Sequence, residues 1–303
     1  MNIKNVILGI ISVVLIALVS VFMPILSILL AGVPIILLLL KEKGNIHDSI
    51  VTLIVASVMV HFIFGIFNAF FIGIYSVLNT AILLHIHKHK IKGLKSQILL
   101  SISVLLSFTV MLYLLNMGTD LHISEYFKES FMSSEEMIQS MGLLEASEMD
   151  MNMMVNQVLA IVPFIMVLIS AVNGMVIYHG YRLVMKKFNQ PVAQMAKFSD
   201  FKLPMHFVYG VTFILLLSYL AGLVKFIDFN TISINIILVL LYVFAFQGVA
   251  ILFYYLDQKQ VSNVVKGLIL VLAIVFQAIL ILTIVGWLDM IFDFRHTNNS
   301  SAK

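Results

Sequence analysis

The chain has no cysteine among its 303 residues, which excludes disulfides, thiolate metal ligands and cysteine nucleophiles and leaves the redox compartment unread. It also has little charge: Asp, Glu, Lys and Arg make up 11%, against roughly 25% in a soluble domain. With 61% hydrophobic residues, so few charges cannot cover a water-facing surface, so the apolar excess must face lipid. Soluble globular classes drop out. The long apolar runs hold no acid near their middle, which leaves a relay of buried carboxylates without residues to build it. His-Glu-x-x-His, Gly-x-Ser-x-Gly and a glycine-rich phosphate loop are all missing, so neither an enzyme nor a cofactor is expected. No internal repeat, low-complexity tract or soluble domain is visible, and a net charge of +3 gives no reason to expect a nucleic-acid partner.

What the chain does have is apolar runs, at about 5–21, 24–40, 49–66, 69–87, 98–116, 154–181, 205–224, 232–256 and 267–288. Each suits a helix crossing roughly 30 Å of hydrocarbon, which takes about 20 residues. Residues 5–40 as one helix would stretch about 54 Å, and 48–87 about 60 Å, so each must turn back. Pro24 marks the first reversal, and Gly65 with Asn68 the second. The reading is an all-α polytopic bundle, 1–303 as one membrane domain, of about nine helices, or eight if the first run is a single tilted span. Five helices occupy 1–116 and four occupy 154–303.

Charge position orients it. With the N-terminus inside, the loops 41–48, 88–97, 182–204 and 257–266 are cytoplasmic. The outer segments then keep only Lys128, Lys225, Arg295 and Lys303 of the 18 basic residues. The first span, followed at once by others, reads as an uncleaved signal anchor in a plasma-membrane protein. The outer loop 117–153 takes most of the acids. Ser133 and Glu136 have capping-box spacing, and Met137, Ile138, Met141 and Leu144 follow at helical intervals, so an amphipathic helix on the outer surface is expected.

Candidate site residues are few. His61 lies inside the third span, where an ionisable residue is a functional candidate by default, although a neutral His bonded to a neighbouring helix is the structural alternative. Ser170-Ala171-Val172-Asn173-Gly174, past Pro163, is the place to expect a non-ideal helix exposing carbonyls to a cavity. Gln247, with Ser170 and Asn173, offers neutral hydrogen bonding inside the membrane. Small residues four apart at Ser27/Ala31, Ala69/Gly73 and Ser170/Gly174 allow close helix approach. His85, His87 and His89 could ligate a metal, but the interleaved lysines repel cations, and a topogenic basic loop is the default. The outer methionines could ligate Cu(I), yet their helical spacing fits packing, and no metal site is assigned.

The run Pro34-Ile35-Ile36-Leu37-Leu38-Leu39-Leu40-Lys41-Glu42-Lys43-Gly44 resembles the end of an early helix in the YybS-like family of Gram-positive membrane proteins. Arg182-Leu183-Val184-Met185-Lys186-Lys187-Phe188 and Phe198-Ser199-Asp200-Phe201-Lys202-Leu203-Pro204 are similar to that family's most recognisable stretch. Its early helices are in turn similar to the substrate-binding membrane subunits of energy-coupling-factor transporters. That likeness implies a coupling subunit docked on a small-x-x-x-small pair in the first helix; the nearest pair here is Ser27/Ala31 in the second.

The leading expectation is a small-molecule-binding or transport-related membrane subunit, its unknown ligand held by His61, Ser170, Asn173 and Gln247. The alternative is a non-transporting envelope scaffold that binds protein partners through its basic inner loops and outer amphipathic helix. A lipid-modifying enzyme using His61 or the outer acids is a third class.

Overall fold

The computed structural model describes residues 3–22, 24–91, 93–118, 125, 151–192, 197–223, 229–275 and 277–295. The amphipathic helix expected from Ser133 to Leu144, like nearly all of 117–153, lies outside the described residues. The described residues are overwhelmingly helical, with no strand among them, and six helices are long and apolar enough to cross a membrane. The protein is an all-α, multi-pass membrane protein. Its chain groups into two compact units, 1–195 and 196–303.

The first unit begins with α1, Ile3–Phe22. The expected reversal at Pro24 is there: a 3-10 stretch, Pro24–Ala31, starts at this residue and runs into α2, Gly32–Lys43. Helix α3, Ile46–Phe64, stops at Gly65, whose φ of 86° suits a residue without Cβ. Helix α4, Ile66–His89, starts directly after it. Asn68, the partner expected in that turn, returns its side-chain amide to the Phe64 carbonyl at 2.9 Å and so caps α3. Helix α5, Gly93–Gly118, and the 37-residue α6, Met151–Lys187, complete the unit.

Packing closes a ring in which α2 lies against α4 and α6, while α5 lies against the same two helices from the other side. Helices α1 and α3 flank the ring. The interior is filled by Leu37, Leu38, Tyr75, Leu83, Leu100, Ile177, Tyr178 and Met185, all buried. Outward positions such as Ile54, Phe62, Ile102 and Leu106 are bare, as lipid-facing residues must be. Lysines and histidines fill the last turns of α2, α4 and α6, where they complement the negative helix ends.

The second unit holds a 3-10 turn, Phe198–Asp200, then α7, Met205–Leu223, and α8, Phe229–Gln258. Its end departs from expectation. The run 267–288 is not one crossing but two short helices, α9 (Asn263–Val275) and α10 (Ile279–Phe292), each about 20 Å long. They are joined at Gln277, whose φ of 55° turns the chain, and the Ala278 N–H caps the Ala273 carbonyl at 2.8 Å.

Helix α10 then lies along α8 in the same direction. Thr283 donates to the Leu241 carbonyl at 3.2 Å, Asp289 faces Gln247, and Tyr255 donates to the Phe294 carbonyl at 3.2 Å. Two glycines permit this contact: a Cβ at Gly248 would fall on the Leu282 carbonyl, and one at Gly286 on the Phe244 carbonyl. The chain therefore comes back to the C-terminal end of α8. Arg295, expected on the outer face opposite loop 182–204, instead bonds to that loop's Ser199.

Candidate functional site

Of the four expected site residues, Gln247 has the most elaborate surroundings. The segment 197–204, at the start of the second unit, is mostly non-helical, yet Ser199 and Leu203 are buried. Phe198 and Phe201 meet Phe246 of α8 edge-on, with ring centroids 4.7 and 5.0 Å apart. Non-helical backbone pressed into an apolar bundle needs partners for its polar groups. The partners come from α8 and the end of α10. Gln247 accepts the Leu203 N–H at 3.1 Å through Oε1, and Arg295 donates to the Ser199 carbonyl at 2.8 Å.

Asp289 holds both of these side chains in place. Its Oδ2 accepts from Gln247 Nε2 and from Arg295 Nη2, each at 2.9 Å. The Asp289 and Arg295 side chains are 0% exposed. A second ion pair, Lys202 to Asp293 at 2.7 Å, ties the same segment to the residue just after α10. This arrangement anchors a loop; it offers a ligand no open face.

Ser170 and Asn173 sit in the other unit, on α6. The non-ideal helix expected there is absent: α6 runs unbroken through them and packs on α5, and a Cβ at Gly174 would strike Ser101. Asn173 accepts from Tyr75 of α4 at 3.2 Å and donates to the Ile169 carbonyl of its own helix at 3.0 Å. Ser170 is 1% exposed, and its hydroxyl has no hydrogen-bond partner. A buried seam, not a cavity wall, is what these residues form. Ser170/Gly174 acts as the expected close-approach pair.

His61 stands apart from all three, on the outward side of α3 one turn before Gly65. It borders a laterally open groove of about 610 Å³ between α3 and α4, closed on one side by Val110 of α5. The lining is apolar, from Ile66, Phe70, Ile74, Val77 and Leu78, apart from Ser57 and His61. The second small pair, Ala69/Gly73, forms its floor without drawing two backbones together: a Cβ at Gly73 would stay 3.8 Å from Ser57. The surface turned to the groove is almost wholly apolar.

The histidine tract divides. His85 and His89 lie ring against ring on an exposed face, centroids 4.4 Å apart, while His87 turns inward to the Tyr181 hydroxyl at 3.2 Å. Among the described residues no group of three or more His, Cys, Asp or Glu is placed to hold a metal ion.

Sequence reasoning missed Asp289 and placed Arg295 on the outer face without assigning it a partner. Taken as one crossing, 267–288 delivers both to the aqueous face just past its end. The available signal was the cluster Asp289, Asp293 and Arg295 directly after an apolar run too short to make two full crossings.

A search of curated proteins and one of solved structures found no match. The family model described as Predicted membrane protein (DUF2232) matches residues 10–290, which include His61, the α6 seam, Gln247 and Asp289. The match covers nearly the whole length, and the chain belongs to this family of membrane proteins.

Proposed function

We propose that the chain is a plasma-membrane subunit that binds a small amphiphilic molecule in the α3–α4 groove, in a transport-related role and without chemistry on the ligand. The groove carries this reading: its volume of about 610 Å³ falls in the size range of small-molecule sites, its surface is almost wholly apolar, as an alkyl chain requires, and the polar residues bordering it, Ser57 and His61, lie within one helical turn. The N-terminus and the loops 41–48, 88–97, 182–204 and 257–266 are cytoplasmic in this reading, and 117–153 is extracellular. The same end carries the last described residues, because Arg295 is bonded to Ser199. The YybS-like resemblance and its likeness to transporter substrate-binding subunits point the same way, with a coupling subunit as the expected partner.

Native mass spectrometry of the protein extracted with its membrane lipids tests this. A small amphiphile retained by the wild type and lost in His61→Ala and Gly73→Leu supports it. Position 73 has room for a larger side chain, which would fill the groove. A wild type that retains nothing, with no ligand shifting its melting, overturns it.

The scaffold reading has an observation of its own: Ser170, Asn173 and Gln247 are all buried in closed contacts, and none lines the groove. Crosslinking in cells separates the two. A stable protein partner without any retained small molecule favours the scaffold.

A further inference from the structure

At one end of the first unit, α2, α4 and α6 finish and α5 begins. Contacts between these ends fix them together: Gln190 donates to Glu42 at 2.7 Å, and His87 meets Tyr181 at 3.2 Å. Six lysines are exposed there: Lys43 from α2, Lys88 and Lys90 from the end of α4, Lys95 from α5, Lys186 and Lys187 from α6. The described carboxylates nearby leave these six without a counter-ion. Glu42 is paired with Lys41 and bonded to Gln190, and Asp48 is buried.

Helix dipoles and membrane orientation account for lysines at such ends, but not for their neighbours. Large apolar side chains stand bare beside them: Leu94 is 58% exposed next to Lys95, Leu183 72% exposed one turn before Lys186 and Lys187, and Ile46 48% exposed three positions after Lys43. Cations interleaved with bare aliphatic side chains at the ends of apolar helices match a molecule with an anionic head and acyl chains. An acidic soluble protein would leave Leu94 and Leu183 in water.

We propose that this collar binds anionic glycerophospholipid, with the lysines on the phosphodiester heads and Leu94 and Leu183 against the chains. The proposal is independent of the groove at His61, which belongs to the other end of α3.

The test uses the full chain in a neutral detergent, titrated with phosphatidylglycerol or phosphatidylcholine, with bound lipid counted by native mass spectrometry. Phosphatidylglycerol should bind about ten-fold more tightly, and the preference should shrink as salt rises from about 0.1 to about 0.5 M, because the screening length around exposed charges falls from about 10 Å to about 4 Å. The combined Lys88→Gln, Lys90→Gln, Lys186→Gln and Lys187→Gln variant should lose it, the corresponding Lys→Arg variant should keep it, and Lys259→Gln in the other unit should leave it unchanged. Because lysines also steer insertion, acetylation of the purified wild type after folding provides a second route to the same loss. Equal affinity for the two lipids, or a preference that survives both neutralisations, overturns the proposal. So does equal binding of chain-free glycerophosphoglycerol, which would make the site one for soluble phosphate. Polyglutamate that binds as tightly and is lost with the same lysines would assign the surface to an acidic protein and overturn it as well.

Discussion

Asp289 and Arg295 meet at 2.9 Å with neither side chain exposed, and through them the end of α10 holds the backbone of segment 197–204. A buried pair of this kind is worth little against an apolar replacement, but removing one partner strands the other charge, at about 3–5 kcal/mol. Arg295→Met and Asp289→Asn should therefore each lower the melting temperature strongly and open 197–204 to limited proteolysis. The double variant Asp289→Leu with Arg295→Met should recover part of the loss, since no lone charge remains. Equal melting of all four proteins would show that the pair anchors nothing.

The path of α9 and α10 gives a topological prediction that the cysteine-free chain makes simple to check. Single cysteines at Ser262 and Phe294 should react with a membrane-impermeant maleimide from the same side, because Phe294 is bonded to Tyr255 at the end of α8. A cysteine at Gln277, in the turn, should not react from that side. Labelling of positions 262 and 294 from opposite sides would restore a single crossing.

Helix class and the two early reversals are legible in the sequence because each rests on one strong local constraint. Charge-free runs of this length must bury their backbone as helices in lipid or protein, Pro24 cannot continue a helix, and Gly65 supplies a φ that other residues resist. The α9–α10 hairpin is illegible because its turn residue is Gln277, which carries no turn signature, inside an unbroken apolar stretch. Missing that turn misplaced Arg295, and with it the only fully buried ion pair among the described residues. Gln247 was identified as a polar intramembrane residue, but its role depends on Leu203 and Asp289, which are more than 40 positions away on either side. Ser170 and Asn173 were found by composition, and composition does not distinguish a packed seam from a cavity wall.

The α8–α10 contact predicts a contrast among glycines. Gly248→Ala and Gly286→Ala place a methyl group on backbone carbonyls that cannot swing aside, so each should cost about 1–3 kcal/mol or more and part the two helices. At Gly210 and Gly267 a Cβ meets nothing within 4 Å, and alanine there should be neutral or stabilising by up to about 1 kcal/mol. Thermal melting of the four variants in one detergent checks both halves. Comparable effects at all four positions would mean that α8 and α10 are not in backbone contact.

The α4–α6 seam predicts opposite outcomes for two hydroxyls. Tyr75→Phe removes the donor to Asn173 and leaves its amide oxygen buried, at about 1–3 kcal/mol. Ser170→Ala removes a buried hydroxyl that has no partner, so it should be neutral or mildly stabilising. The pair also separates packing from ligand binding: a packed seam changes stability and leaves ligand-induced melting shifts alone. A Ser170→Ala variant that melts like the wild type but loses such a shift would place the ligand at α6 and not in the groove beside His61.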